Sequence, residues 1–274
     1  MRLLITGGSS YLGRRLVALA AATHTVAYTF FSHNPLALPG GRHLDVRRAA
    51  DVAALAASFR PQAIIHLAGS NRSPDMAAAI TDGAVHVTNA ARALDARLLH
   101  LSTDVIFDGT AGPYREADRP APRHAYGAAK LAAEESIRRW PDHVIVRTSL
   151  IYGLQEMDNG TAGFAAALRA GRPLTLYTNQ LRTPIWIDSL CAALLELLHL
   201  DFQGTLHVAG AQALSRAAFG LRLLDYWGVD DRATLHLAPD VAQRFPADCR
   251  LDSTLAQQLL TTPLPGVDAV LAAA

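Results

Sequence analysis

Short, continuously apolar runs recur along the first half of this chain, each opening on a polar residue and each followed by a helical stretch. They are Arg2–Thr6 (RLLIT), His24–Phe30 (HTVAYTF), a weaker Arg42–Val46 (RHLDV), Ala63–Gly69 (AIIHLAG), Arg97–Thr103 (RLLHLST) and His143–Ser149 (HVIVRTS). A strand with one wet face alternates polar and apolar residues. A strand apolar at every position is buried on both faces, which implies a parallel sheet with helices above and below. Helical spacing falls between the runs, at Leu12–Ala21, Asp51–Arg60 (stopped by Pro61), Val85–Leu94 and Tyr126–Arg139. The expected fold class is therefore α/β, a doubly wound parallel sheet. After Gly153 the alternation lapses into a loop, GLQEMDNGTAG, that precedes a helix. Residues 1–153 are read as the sheet domain, to which the chain returns at about 183–208. Residues 154–182 and 209–274 are read as a smaller C-terminal α/β lobe.

Composition removes several function classes. The net charge is +1 and the basic residues are scattered, so no nucleic-acid footprint is expected. Half the residues are hydrophobic, but no run approaches the ~20 apolar residues of a membrane span, so no membrane partner is expected. MRLLITGG enters a strand at once without a cleavage site, which argues against a signal peptide. The two cysteines, Cys191 and Cys249, lie far apart, and a reduced, cytoplasmic protein is expected. C-x-x-C and H-E-x-x-H are both missing, so no metal site is expected.

Between the first strand and first helix lies TGGSSYLG, Thr6–Gly13. Glycines there allow a tight turn and close approach of a pyrophosphate, and the helix N-terminus supplies N–H groups and a positive dipole end. Gly7 and Gly13 fit G-x-x-G-x-x-G, with Ser10 at the central glycine. Its hydroxyl either bonds a phosphate or crowds it. An acid at the end of the second strand would bond a ribose 2′-hydroxyl and repel a 2′-phosphate. The chain has YTFFSHNP there instead, which favours NADP(H) while leaving NAD(H) open. Ser32, His33 and Arg14 are candidates to face the phosphate or are ordinary surface residues. Asp45, before Val46, is placed either to reach the adenine or to cap a helix.

Of the 25 basic residues only one is a lysine, Lys130, and it lies four residues after Tyr126 on one face of a helix. An ammonium near a phenol favours phenolate, which makes the tyrosine a usable general acid or base. A compact ammonium also holds a ribose hydroxyl in a way the bulkier guanidinium does not. Ser102 and Thr103 end the RLLHLST run on the crevice side of the sheet. One hydroxyl there is expected to bond a substrate carbonyl oxygen, and Thr103 is favoured, with Ser102 structural. Arg182, before TPIWI, is a candidate for a substrate phosphate or a surface charge.

The segments TGGSSYLG, IIHLAG, LSTDVIFDG, YREADRPAPRHAYGAAKLAAEE, VIVRTSLIYG and RTPIWIDSLCAALLELL together resemble the extended short-chain dehydrogenase/reductases. They are most similar to dTDP-4-dehydrorhamnose reductases and related sugar-nucleotide reductases, over about residues 3–200. The resemblance implies a Rossmann fold, cytoplasmic and homodimeric, that transfers hydride from NADPH to the C4 keto group of a nucleotide-linked deoxysugar. It implies Tyr126 as proton donor, Lys130 as its tuner and ribose ligand, and Thr103 as the carbonyl's hydrogen-bond donor. Beside the cofactor it implies Gly7, Ser9, Ser10, Tyr11, Leu12, Gly13, Ser32, His33, Asp45, Val46, Leu67, Ala68 and Gly69. Beside the substrate it implies Thr103, Asp104, Tyr126 and Arg182. Related 4,6-dehydratases carry an acid pair after the threonine; here Asp104 is followed by Val105, which counts against dehydration. A 4-epimerase uses the same catalytic set and stays open. So does a non-catalytic, NADP(H)-binding partner role, because the regulatory β subunit of methionine adenosyltransferase resembles the same reductases. Two departures bear on the sugar: the reductases have an aromatic residue and a tryptophan where this chain has Val105 and Leu150.

Overall fold

The structure is a computed structural model that describes residues 1–69 and 75–274. The first half runs β1 (Arg2–Thr6), α1 (Tyr11–Ala20), β2 (Thr25–Phe30), β3 (Gly41–His43), α2 (Ala49–Phe59), β4 (Ala63–His66), α3 (Met76–Leu94), β5 (Arg97–Thr103), α4 (Ala125–Ile137) and β6 (His143–Thr148). The second half runs β7 (Ile151–Tyr152), α5 (Asn159–Arg169), β8 (Leu174–Tyr177), β9 (Leu181–Arg182), β10 (Ile185–Trp186), α6 (Ile187–Glu196) and β11 (Gly204–His207). It ends with β12 (Leu214–Ser215), α7 (Arg216–Tyr226), β13 (Leu235–Ala238), α8 (Thr254–Leu259) and α9 (Val267–Ala272).

Among the described residues, seven strands form one parallel sheet in the order β11-β6-β5-β4-β1-β2-β3. The two-sided burial expected from the apolar runs is visible residue by residue. In β1, Leu3 and Ile5 pack with Leu12, Leu16 and Val17 of α1 and Leu190 and Leu194 of α6. Leu4, between them, packs on the opposite face with Val52 of α2, Ile80 and Val87 of α3 and Ala133 of α4. The strand order reverses at β1: α1, after β1, packs on one face of the sheet and α3, the helix after β4, on the other, which leaves a crevice at the C-terminal ends of these paired strands where ligands of such sheets bind.

The helix expected at Val85–Leu94 begins earlier, at Met76. Thr81, Asp82 and Gly83 blur its periodicity in sequence, yet Gly83 is where the helix presses on the sheet side, since a Cβ there would stand 2.9 Å from Val46. Beyond β7 a smaller layer forms. β8 and β13 pair in parallel, and Ala165 and Leu168 of α5 pack against Leu176 and against Ala217 and Leu224 of α7. α6 and β11 lie with the main sheet, and so does α8, through Ala256. None of the described helices is long and apolar enough to cross a membrane.

Candidate active site

A cleft of about 1300 Å³ opens at the C-terminal edge of the sheet, between it and the smaller layer. One end is built by the first turn. Ser10 is the N-cap of α1, its Oγ accepting the Gly13 N–H at 3.0 Å. That settles the part of the central-glycine substitution that concerns the helix: the hydroxyl oxygen caps α1, and Ser10 lines the cleft. Gly13 itself does not reach the cleft wall. A side-chain carbon at Gly13 would lie 2.3 Å from the Gly7 carbonyl oxygen, so this position lets α1 close on the turn. Gly13→Ala is expected to cost about 1–3 kcal/mol through overpacking and to weaken dinucleotide binding, read by thermal denaturation and fluorescence titration. An unchanged melting temperature would contradict the packing role.

Gly7, Ser9, Tyr11 and Leu12 line this end with Leu67, Ala68 and Gly69 after β4 and Ser32, Asp45 and Val46 beside β2 and β3. His33 is exposed and off the wall. Arg14 points elsewhere: it pairs with Glu156 and donates to the Ser9 carbonyl at 3.3 Å. With the Tyr11 hydroxyl donating to the Glu156 carbonyl at 3.0 Å, it ties the 153–158 loop over the turn. The cation at this end is instead Arg47, which sequence reasoning passed over. Its guanidinium grips Asp45 at 2.8 and 2.7 Å and lies 5.5 Å from the Phe31 ring. The Arg47 hydrogen bonds hold the Asp45 carboxyl below its ordinary range. Asp45 does not cap α2, whose N-cap is Arg48. The signal available in sequence was the D-V-R-R run after the third strand.

At the other end, β5 delivers Ser102 and Thr103 to opposite sides. Ser102 is buried and donates to Glu134 Oε1 at 2.6 Å; Thr103 lines the cleft and caps the short turn Asp104–Ile106. Tyr126, in the first turn of α4, faces Thr103 there. The approach depends on Gly127, where a Cβ would lie 2.3 Å from the Val105 carbonyl oxygen. Burial, then the Asp104 carboxylate, push the Tyr126 phenol up to about 12, while a hydrogen bond with Thr103 pulls the other way.

Lys130 departs from its expected part. It is 4% exposed, off the cleft wall, and its Nζ donates to the Leu101 carbonyl at 3.0 Å. Burial lowers its pKa to about 8. The ammonium therefore loses its charge before the phenol ionises, and the expected depression of the Tyr126 pKa is absent. Arg182 likewise lines the cleft without an open fork. It donates to the carbonyls of Leu181 at 2.7 Å, Ala247 at 3.1 Å and Pro246 at 3.0 Å, and its Nε stands 3.5 Å from Asp104. Asp104 Oδ2 also accepts from Ser149 at 2.6 Å. No cluster of three or more His, Cys, Asp or Glu side chains arranged for a metal occurs among the described residues.

Comparison with known proteins places these features in context. The RmlD substrate binding domain family matches residues 1–273. A curated relative from Haloferax volcanii, "Probable low-salt glycan biosynthesis reductase Agl14", is 31% identical over 84% of this chain and 81% of its own length. The structure of a hypothetical dTDP-4-dehydrorhamnose reductase from Sulfolobus tokodaii superposes with a TM-score of 0.85 at 28% identity, covering 99% of both chains. The dTDP-4-dehydrorhamnose reductase of Bacillus anthracis in complex with NADP shares the fold, with a TM-score of 0.83 at 22% identity over 99% of this chain and 97% of its own.

Proposed function

The chain belongs to the RmlD substrate binding domain family, and from that premise we propose that it is an NADPH-dependent reductase of a nucleotide-linked 4-keto-6-deoxysugar. The observation that supports this reading best is the meeting of Thr103 and Tyr126 on a cleft whose far end is the capped glycine turn of α1. Residues 1–153 with 183–208 act as the cofactor-binding body, joined by α8, and 154–182 with the rest of 209–274 as the substrate lobe.

The residues at the turn fit a dinucleotide. The N-terminus of α1 presents backbone N–H groups and its dipole, and Gly13 lets the helix sit close to the turn. No carboxylate ends β2, where Phe30, Phe31 and Ser32 line the cleft, and the nearby carboxylates of Asp45 and Asp75 are paired with Arg47, so NADP(H) is favoured over NAD(H). When bound, the reduced nicotinamide supplies a hydride to the substrate's carbonyl carbon.

The chain's own residues handle the oxygen. Tyr126 carries its proton throughout the neutral range, because burial and Asp104 hold its pKa near 12, and it donates that proton to the carbonyl oxygen. Thr103, whose hydroxyl donates to Asp104 Oδ1 at 3.2 Å in the free protein, turns that hydrogen to the same oxygen and shares its developing charge. Lys130 does not lower the pKa of the resting Tyr126, and its part is confined to the range below about pH 8, where it is charged and supports the phenolate that the transfer leaves behind. The sign of the pH effect follows: kcat/KM for reduction is expected to fall as pH rises through about 8, when Lys130 becomes neutral and that support is lost. A profile flat from pH 6 to pH 10 would contradict Lys130's part. To test the function itself, the nucleotide-sugar is incubated with NADPH carrying deuterium at both C4 positions and the product analysed by mass spectrometry. One deuterium on the former carbonyl carbon is expected; product formed without it rules out hydride transfer.

A further inference from the structure

We propose that Arg216 is the residue that grips an oxyanion of the substrate's diphosphate, a role that rests on the nucleotide-sugar reading above. Arg216 opens α7 directly after the N-cap Ser215, whose Oγ accepts the Ala218 N–H at 3.0 Å. It is half-buried and lines the cleft. Its backbone N–H is taken by the Gln180 carbonyl at 2.8 Å, which anchors the residue. The guanidinium has no described hydrogen bond or ion pair; it lies 5.9 Å from the Phe164 ring centroid.

Three circumstances make a lone cation costly there. The site is withdrawn from water, a second guanidinium is near, and the position is the positive end of a helix. Burial first, and then the charge of Arg182, lower the Arg216 pKa. The dipole of an 11-residue helix adds to the repulsion at its N-terminus. The carboxylates close enough to attract it, Asp104 and Asp158, are engaged by other groups. Asp104 accepts from Thr103 at 3.2 Å and Ser149 at 2.6 Å and faces Arg182. Asp158 accepts the N–H groups of Gly160 and Thr161 at 2.8 and 3.1 Å, and the Thr161 hydroxyl at 2.5 Å. The other arginines on the cleft, Arg47 and Arg182, both have carboxylate partners.

A bound anion offsets all three costs at once. The planar fork matches the geometry of phosphate oxygens, and the helix end reinforces it. Phe164, Tyr177 and Phe219 line the same part of the cleft. The sequence-level candidate for the phosphate was Arg182; the structure leaves its donors on backbone carbonyls and hands the open guanidinium to Arg216.

Calorimetric binding of dTDP and UDP, which carry the diphosphate but no sugar, tests the assignment in the whole protein with NADPH affinity as a folding control. Arg216→Gln is expected to weaken the tighter of the two roughly 10- to 100-fold, as expected for charge-assisted bonds. Arg216→Lys is expected to recover part of that loss. NADPH affinity should stay within about twofold, and the melting temperature should hold or rise, because the change removes an uncompensated charge. A nucleoside diphosphate affinity unchanged by Arg216→Gln overturns the proposal. A fall in melting temperature with NADPH affinity overturns it in favour of a structural role. Wild-type protein that binds neither nucleotide overturns the nucleotide-sugar reading itself.

Discussion

Replacing Tyr126 with phenylalanine is expected to lower kcat for ketone reduction by about 10²- to 10⁴-fold, the range general acids contribute. The effect should fall on kcat rather than on binding, because the hydroxyl is lost and the ring that fills the wall is kept. NADPH affinity and melting temperature should stay near wild type, since Thr103 retains its hydrogen bond to Asp104 at 3.2 Å. Steady-state kinetics with the nucleotide-sugar measures it. Activity within tenfold of wild type would mean that the proton comes from another group. The high pKa of Tyr126 sharpens the expectation, because a phenol that ionises near 12 is a donor throughout the neutral range and never a ready-made base.

The largest stability effect is expected at Glu134, one helical turn beyond Lys130. Its carboxylate is fully buried and pairs with the buried Arg147 through bonds of 3.0 and 2.8 Å, with Ser102 at 2.6 Å and Arg138 at 2.8 Å. Burial alone would raise its pKa. The Arg147 hydrogen bonds and charge, with Ser102 and Arg138, outweigh that and hold it below the ordinary range. Glu134→Ala leaves the Arg147 guanidinium buried and unpaired, which costs about 3–5 kcal/mol and on the order of 10 °C in melting temperature. The sign with pH follows from the depressed pKa. The contribution is complete above the unfolded carboxyl's pKa and is lost as pH falls through the lower, folded value. In the double variant Glu134→Leu with Arg147→Met, the loss should be smaller than in Glu134→Ala, because no charge is stranded. A Glu134→Ala protein that melts within about 2 °C of wild type would show that the pair contributes little.

How much of this was legible before the fold was in hand differs by level. The parallel sheet was, because consecutive apolar residues such as Leu3, Leu4 and Ile5, in runs too short for helices and set between helical stretches, point to strands covered on both faces. The convergence of Thr103 and Tyr126 was also legible, since strand ends and a helix's first turn meet on the crevice side. Side-chain partners were not. Arg182 is held by carbonyls about 65 residues away, Arg14 by a loop on the substrate side, and Lys130 by the Leu101 carbonyl of β5. Each looked like a free cation along the chain, and tertiary contacts decided its partner. Arg216 shows the converse. Nothing in LSRAAFG distinguishes it, and only the lack of a partner inside the cleft draws notice.

The account is tested most directly by the absorbance of NADPH at 340 nm when the purified protein meets dTDP-linked 4-keto-6-deoxysugars. Saturable oxidation of NADPH, slowed about 10²-fold or more in the Tyr126→Phe protein, is the predicted result. Tight NADPH binding with no oxidation across the dTDP- and UDP-linked keto-sugars would contradict it and leave the fold as a binding module.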